Sequence, residues 1–334
     1  MKKRYQYITC IFILYALVVV AQLLISCNES AKADSNKSNT SAGFVIDTTK
    51  IPHDQFGEAV KYGRQLMLHT AYFIGPDGIN EKRYAGNKMN CTNCHQDAGT
   101  KPFAFNLVTT FRNYPQYRAR EGRVSSLAER INNCVTRPLL GKPLPLDSKE
   151  MIAIMSYLKW LSDSSYVNNN AKGLKNIEIP LPDIAASPER GAQLYATNCA
   201  RCHGGSGEGQ LQYDKVTYIY PPLWGLQAYQ PGSSMHRIVK MAQWLVPNMP
   251  YDKATHDKPF LTPAQALDLA AFINDDKIHQ RPFVKDFQYP NYGEKPIDYD
   301  RGPFGDPFSD TQHKYGPFKP IIAYWAGKGF KPTY

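Results

Sequence analysis

Two pentapeptides carry the clearest chemistry in this sequence: Cys91-Thr92-Asn93-Cys94-His95 and Cys199-Ala200-Arg201-Cys202-His203. The C-x-x-C-H spacing puts two thiols within reach of the two vinyl groups of a haem, with an imidazole beside them for the iron. Zinc, the rival claimant for such pairs, draws two of them into one tetrahedron, usually at short separation. Here they stand far apart, and each is followed directly by histidine. A thioredoxin-like redox pair lacks its βαβ context. The reading is two covalently bound haem c groups, attached through Cys91 and Cys94 and through Cys199 and Cys202, with His95 and His203 on the irons.

Cysteine usage then becomes restrictive. Of the seven cysteines, Cys10 and Cys27 lie near the N-terminus and four serve the haems, so only Cys134 lacks a task. The loop after the first motif has no Met-Pro, and Met151 and Met155 fall inside a helical apolar pattern. Cys134 is therefore the candidate second ligand of the first iron. A thiolate there stabilises ferric iron and lowers the potential. The other readings of Cys134 are an inert buried thiol or an intermolecular disulfide. For the second iron, Met249 in Asn248-Met249-Pro250 is the candidate, with Met241, His236, His256 and Lys240 as rivals. Arg112, Arg118, Arg120, Arg123, Arg130 and Arg137 cluster around Cys134 in sequence. Most such arginines form a solvated face, yet two or three can clamp an oxyanion through bidentate hydrogen bonds.

The elements that must position these groups repeat. In residues 51–163, a helix from about Asp54 to Tyr72 puts Gly63, Leu66 and Met67 on one face. A closing helix over Ser148–Ser162 follows, with Asp147 and Glu150 in a capping-box pattern. After a linker at 164–186, residues 187–280 repeat the arrangement: Ser187-Pro188 opens a helix carrying Gly191, Leu194 and Tyr195, and a helix over Pro263–Asn274 closes, capped by Thr262 and Gln265. Residues 281–334 are rich in aromatics and prolines with little periodicity, and read as an extended, irregular tail ordered by packing on the domains. The fold class is mainly α.

The N-terminus reads as an export signal. Lys2–Arg4 is a positive start, Ile8 to Ile25 is largely apolar, and Leu24-Ile25-Ser26-Cys27 resembles a lipobox. Residues 1–27 are then a lipoprotein signal peptide with Cys27 acylated, or an uncleaved anchor, and residues 28–50 a flexible tether. Either way the rest lies outside the cytoplasm, on the periplasmic side of a bacterial envelope. Loss of Lys2, Lys3 and Arg4 lowers the formal charge from +10 to +7. The propionates of two haems, up to ~4 charges, offset most of that, which removes the main support for a nucleic-acid partner and leaves anionic substrates compatible.

The duplicated helix, motif, loop and closing helix resemble the class I cytochrome c fold. That resemblance implies two tandem domains in which Gly63 packs against Tyr157 and Gly191 against Phe272. More specifically, Arg130-Ile131-Asn132-Asn133-Cys134-Val135-Thr136-Arg137, then Gly141-Lys142-Pro143-Leu144, is similar to the catalytic-haem segment of dihaem thiosulfate dehydrogenases. So is the run from Gly302-Pro303-Phe304 through His313-Lys314-Tyr315-Gly316-Pro317-Phe318. The resemblance covers most of residues 55–325. It implies Cys134 with His95 on a catalytic iron, Met249 with His203 on an electron-transfer iron, and Arg120 and Arg130 at the substrate. It further implies joining of two thiosulfates into tetrathionate and release of electrons to a small cytochrome or similar carrier. One departure stands out: the family's Arg-Ser after the cysteine is Arg137-Pro138 here, with neither hydroxyl nor N–H. Two other functions stay open at this level: a lipid-anchored electron-transfer module with no substrate, and a haem subunit of another sulfur-oxidation or peroxidase system.

Overall fold

A computed structural model of the chain describes residues 46–163, 171–282 and 289–334. The leader, the lipobox with Cys27, most of the 28–50 tether and Asn168-Asn169-Asn170 lie outside the described residues. No helix among the described residues is long and apolar enough to cross a membrane.

The first haem-motif region is framed by α1 (Gln55–Leu68) and α3 (Lys149–Asp163), with α2 (Leu127–Thr136) between them. Asp54 caps α1, its side chain accepting from Gly57 N at 2.8 Å. The expected run to Tyr72 is interrupted. His69 leaves helical geometry at φ −130°, ψ 42°, and a separate turn of helix covers Thr70–Ile74. The break has a use. Thr70 Oγ1 donates to Leu66 O and accepts from Cys91 N at 3.0 Å, and Ala71 N donates to Asn90 Oδ1 at 2.9 Å. A continuous helix would point these groups elsewhere; the kink grips the start of the first haem motif. The cap of α3 also differs by one residue from the sequence pattern. Ser148, not Asp147, accepts from Met151 N, because its short hydroxyl reaches back from the N-cap position while Glu150 faces Tyr62.

α1 and α3 cross at Gly63. A Cβ there would run into the Ala153 carbonyl oxygen and sit 2.8 Å from Tyr157 Cβ. The second region repeats this with α4 (Pro188–Asn198), α5 (Ile238–Asn248) and α6 (Pro263–Ile273): a Cβ on Gly191 would strike the Asp268 carbonyl and lie 2.7 Å from Phe272 Cβ. Both glycines thus permit close helix crossing rather than loosening a helix. Ser187 caps α4, and Thr262 with Gln265 forms the capping box of α6.

Each region has its own apolar core. One is built on Leu66, Met151, Tyr157 and Leu161, the other on Ile238, Met241, Leu267 and Leu269. α5 is one of the elements that join them. Trp244 Nε1 donates to Cys94 O at 3.0 Å, and Asn248 Nδ2 donates to Phe103 O at 3.1 Å. Past Tyr289 the chain is irregular and then gathers into two helices, α7 (Asp310–Tyr315) and α8 (Lys319–Gly327). Phe318, Ile321 and Trp325 sink into the second core, so this segment is part of that core rather than a wrapping over it. Asp298 from the same segment caps α5: its carboxylate accepts from Val239 N at 3.0 Å and from Arg237 Nε at 2.8 Å.

Candidate active site

The first haem motif opens onto a cavity of about 540 Å³. Cys91, Cys94 and His95 lie on its wall, and so does Cys134, delivered by the last turn of α2. Ser126 and Glu129 form the capping box that starts this helix, and Leu127, Ile131 and Val135 bury its apolar stripe. Arg130 and Cys134, one turn apart, flank that stripe and share the cavity wall with Leu127, Ile131 and Val135. Arg130 Nη1 donates to Cys134 Sγ at 2.9 Å. His95 Nδ1 is hydrogen-bonded to Phe105 O at 2.6 Å, which leaves Nε2 for the iron and fixes the ring.

The electrostatics set Cys134 apart from the attachment cysteines. Burial acts to raise its thiol, but the Arg130 guanidinium and the His95 ring outweigh that and bring it down to about 6. Burial instead pushes the free thiols of Cys91 and Cys94 up to about 11 and about 12. With a haem attached through them those two sulfurs would be thioethers; Cys134 is the one that a cation stabilises as an anion. A planar, largely apolar group with two vinyl arms fits the space, since Met67, Ile74, Leu127, Ile154 and Leu158 line it between the attachment cysteines and Cys134.

Arg120 reaches the same cavity but is fixed to neighbours. It donates to Gly232 O at 2.6 Å and Tyr289 Oη at 3.2 Å, and lies against the faces of Tyr289 and Tyr299. Arg118 and Arg137 also line the cavity and share Glu121. Arg112 does not line it, and Arg123 pairs with Glu129 on the surface. Pro138 is on the wall and presents its carbonyl to Asn87 Nδ2 at 2.8 Å.

Sequence reasoning missed the far wall. Gly232, Ser233, Ser234, Arg237 and Lys240 come from the second region, and Tyr289 from the segment after it. The available signal was a pair of cations three residues apart on an otherwise apolar helix, preceded by Gly-Ser-Ser.

At the second motif, His203 Nδ1 is hydrogen-bonded to Pro221 O at 2.8 Å, the same orientation device as at His95. Met249 caps the C-terminus of α5 and packs against the core that also holds Cys199. Its rivals are engaged elsewhere. Met241 sulfur accepts from Asn274 Nδ2, His236 contacts Asp276 and Lys314, His256 stacks on Phe103, and Lys240 faces the first cavity.

Residues 80–167 match the family described as SoxA/TsdA, cytochrome c domain, and residues 188–276 match cytochrome c. A thiosulfate dehydrogenase of Thiomonas intermedia is 34% identical over 232 residues, 70% of each chain. One from Psychrobacter arcticus is 34% identical over 257 residues, 76% of this chain and 73% of that one. This chain belongs to the thiosulfate dehydrogenase family. A solved structure, the thiosulfate dehydrogenase TsdBA from Marichromatium purpuratum in its as-isolated form, superposes with a TM-score of 0.65 at 30% identity. The match covers 79% of this chain and 54% of that one, so the present chain spans about half of the TsdBA length. Like other members of the family, the protein is a dihaem cytochrome with two covalently attached c-type haems, one per cytochrome c domain.

Proposed function

We infer that the protein oxidises thiosulfate to tetrathionate, with the reaction centred at the first haem. Family membership supports the reaction, and the Arg130–Cys134 contact at 2.9 Å is the observation that carries its location. Two thiosulfate dianions become one tetrathionate dianion as a bond forms between their terminal sulfurs, and two electrons leave. The haems supply the acceptor for those electrons, one each. His95 and Cys134 would hold the first iron and His203 and Met249 the second, whose other candidate donors are engaged elsewhere.

The chain's own residues do the rest. Bringing two dianions together costs Coulomb energy that grows as water is excluded. Arg130 offsets one charge beside the Cys134 sulfur, and Arg120, pinned by Gly232 and Tyr289, offsets another. Both are held before substrate arrives, so little ordering remains to be done on binding. Pro138 supplies no hydrogen-bond donor where the family carries serine, so the anion is held more by charge than by directed hydroxyl contacts. The second haem would supply the exit for electrons to a small cytochrome or similar carrier. The purified holoprotein with thiosulfate and ferricyanide is expected to consume two thiosulfates and two ferricyanides per tetrathionate. Ferricyanide reduction that does not depend on thiosulfate would overturn the reading.

Export and lipid attachment through Cys27 complete the proposal. The positive start, apolar run and Leu24-Ile25-Ser26-Cys27 support it, as does the extracytoplasmic setting that c-type haem attachment needs. The parent protein is expected to take up labelled palmitate and a Cys27→Ser variant to take up none. A parent protein that takes up no label rules lipid attachment out.

A further inference from the structure

We propose that Lys240 is a substrate-binding residue, contributed by the second cytochrome domain, whose ammonium holds the sulfonate of the second thiosulfate and hence the far end of tetrathionate. The inference deepens the reading above and rests on it. It starts from the charge lining the cavity. Arg118, Arg120, Arg130, Arg137, Lys175, Arg237 and Lys240 all line it, and among the described residues no carboxylate does.

Three of these seven cations are already matched. Arg118 and Arg137 share Glu121, and Arg237 is paired with Asp298 at 2.7 Å. Lys175 is exposed to bulk water, which screens it. Three buried or half-buried cations remain whose partners are not carboxylates. Arg130 faces the Cys134 sulfur, Arg120 donates to a carbonyl and a phenol, and Lys240 donates to Gln243 Oε1 at 2.9 Å. Among the described residues Lys240 makes no ion pair. A half-buried cation without a counter-charge is costly unless a ligand supplies one.

Position separates Lys240 from the other two. Both arginines belong to the first domain: Arg130 stands with Cys134, and Arg120 reaches across to Gly232 O and Tyr289 Oη. Lys240 projects from the first turn of α5, on the wall that the second domain supplies. Gln243, buried one turn on, fixes its ammonium, and Asp298 fixes the turn by accepting from Lys240 N. Tetrathionate carries a sulfonate at each end and needs cations on two sides. A single cluster beside Cys134 serves one end only. The Ser233 and Ser234 hydroxyls flank the same wall and are suited to sulfonate oxygens.

Burial, then Arg237, lowers the Lys240 ammonium to about 8, with Asp298 acting the other way. The charged groups across the cavity are the guanidinium ions of Arg118, Arg120, Arg130 and Arg137. The charge on Lys240 is therefore present below about pH 8 and lost above it, and kcat/KM should fall as pH rises through that range.

The test compares the holoprotein with Lys240→Met and Lys240→Arg in steady-state thiosulfate oxidation, alongside the potential of the first haem. Lys240→Met is expected to raise the thiosulfate KM by about tenfold or more with a smaller change in kcat. Lys240→Arg should recover most of that loss and stay flat through pH 8. An unchanged KM in Lys240→Met overturns the proposal. So does an unchanged KM with a shifted first-haem potential, which makes Lys240 the partner of a haem carboxylate. If the parent protein shows no thiosulfate turnover, the functional reading itself fails, an outcome distinct from either.

Discussion

Cys134→Ala is expected to lower thiosulfate-dependent turnover by at least about 10³-fold while leaving both haems attached, a loss of the size seen when a group acting on reacting atoms is removed. Attachment depends on Cys91, Cys94, Cys199 and Cys202, none of which the change touches. The local fold should survive too. α2 is held by its capping box and by Leu127, Ile131 and Val135, and Cys134 sits at the edge of that stripe, on the cavity wall. What disappears is the anionic sulfur that Arg130 stabilises. Arg130 is then left at the cavity wall without that partner. Cys134→Met separates two contributions of the sulfur. It restores a soft neutral donor, so the first-haem potential should rise toward that of an electron-transfer cytochrome, with turnover still low. Haem content by absorbance, potentiometry and ferricyanide-linked turnover give the three readouts. A Cys134→Ala protein that turns over at the parent rate would take the sulfur out of the reaction.

Gly63→Ala should destabilise the protein by about 1–3 kcal/mol, although alanine is intrinsically the better helix former by roughly 1 kcal/mol. The sign is decided by space. A Cβ at 63 meets the Ala153 carbonyl and lies 2.8 Å from Tyr157 Cβ, both belonging to α3. Neither can yield cheaply. The carbonyl is backbone, and Tyr157 is buried with its hydroxyl donating to Ala98 O at 3.0 Å. Separating the helices instead would open the core around Leu66, Met151 and Leu161, and interiors transmit such strain rather than absorb it. Thermal unfolding of the holoprotein followed by circular dichroism checks this. The same change at the exposed helix position Gln65 serves as the control, where no loss is expected. A rise in midpoint for Gly63→Ala would mean that the crossing is looser than described.

The parts legible from sequence were those governed by local rules. C-x-x-C-H spacing, the caps at Ser187 and Thr262, and glycine spaced against two apolar residues each state their meaning within a few positions. The His69 break was not legible, because it depends on Thr70 meeting Cys91, which nothing between them announces. Ser148 and Asp147 compete for one cap, and composition cannot choose between neighbours. α7 and α8 are short and gain their order from burial of Phe318 and Trp325 rather than from period. Among the site residues, those on α2 could be placed beside one another from a one-turn spacing. The far wall could not. Lys240 was weighed only as a possible iron donor to its own domain's haem, yet tertiary packing turns it toward the other domain's cavity.

α5 begins at the wall of the first haem cavity and ends at Met249, beside the second haem motif's core. The two halves of the duplication are therefore not exchangeable modules on a string. A monohaem fragment cut from the front half would keep His95, Cys134 and its arginines yet lose the wall that Gly232, Ser233, Arg237 and Lys240 supply. Fusion or gene splitting in such a chain has to respect that shared partition, because one rod serves as the back of one chamber and the ceiling hook of the other.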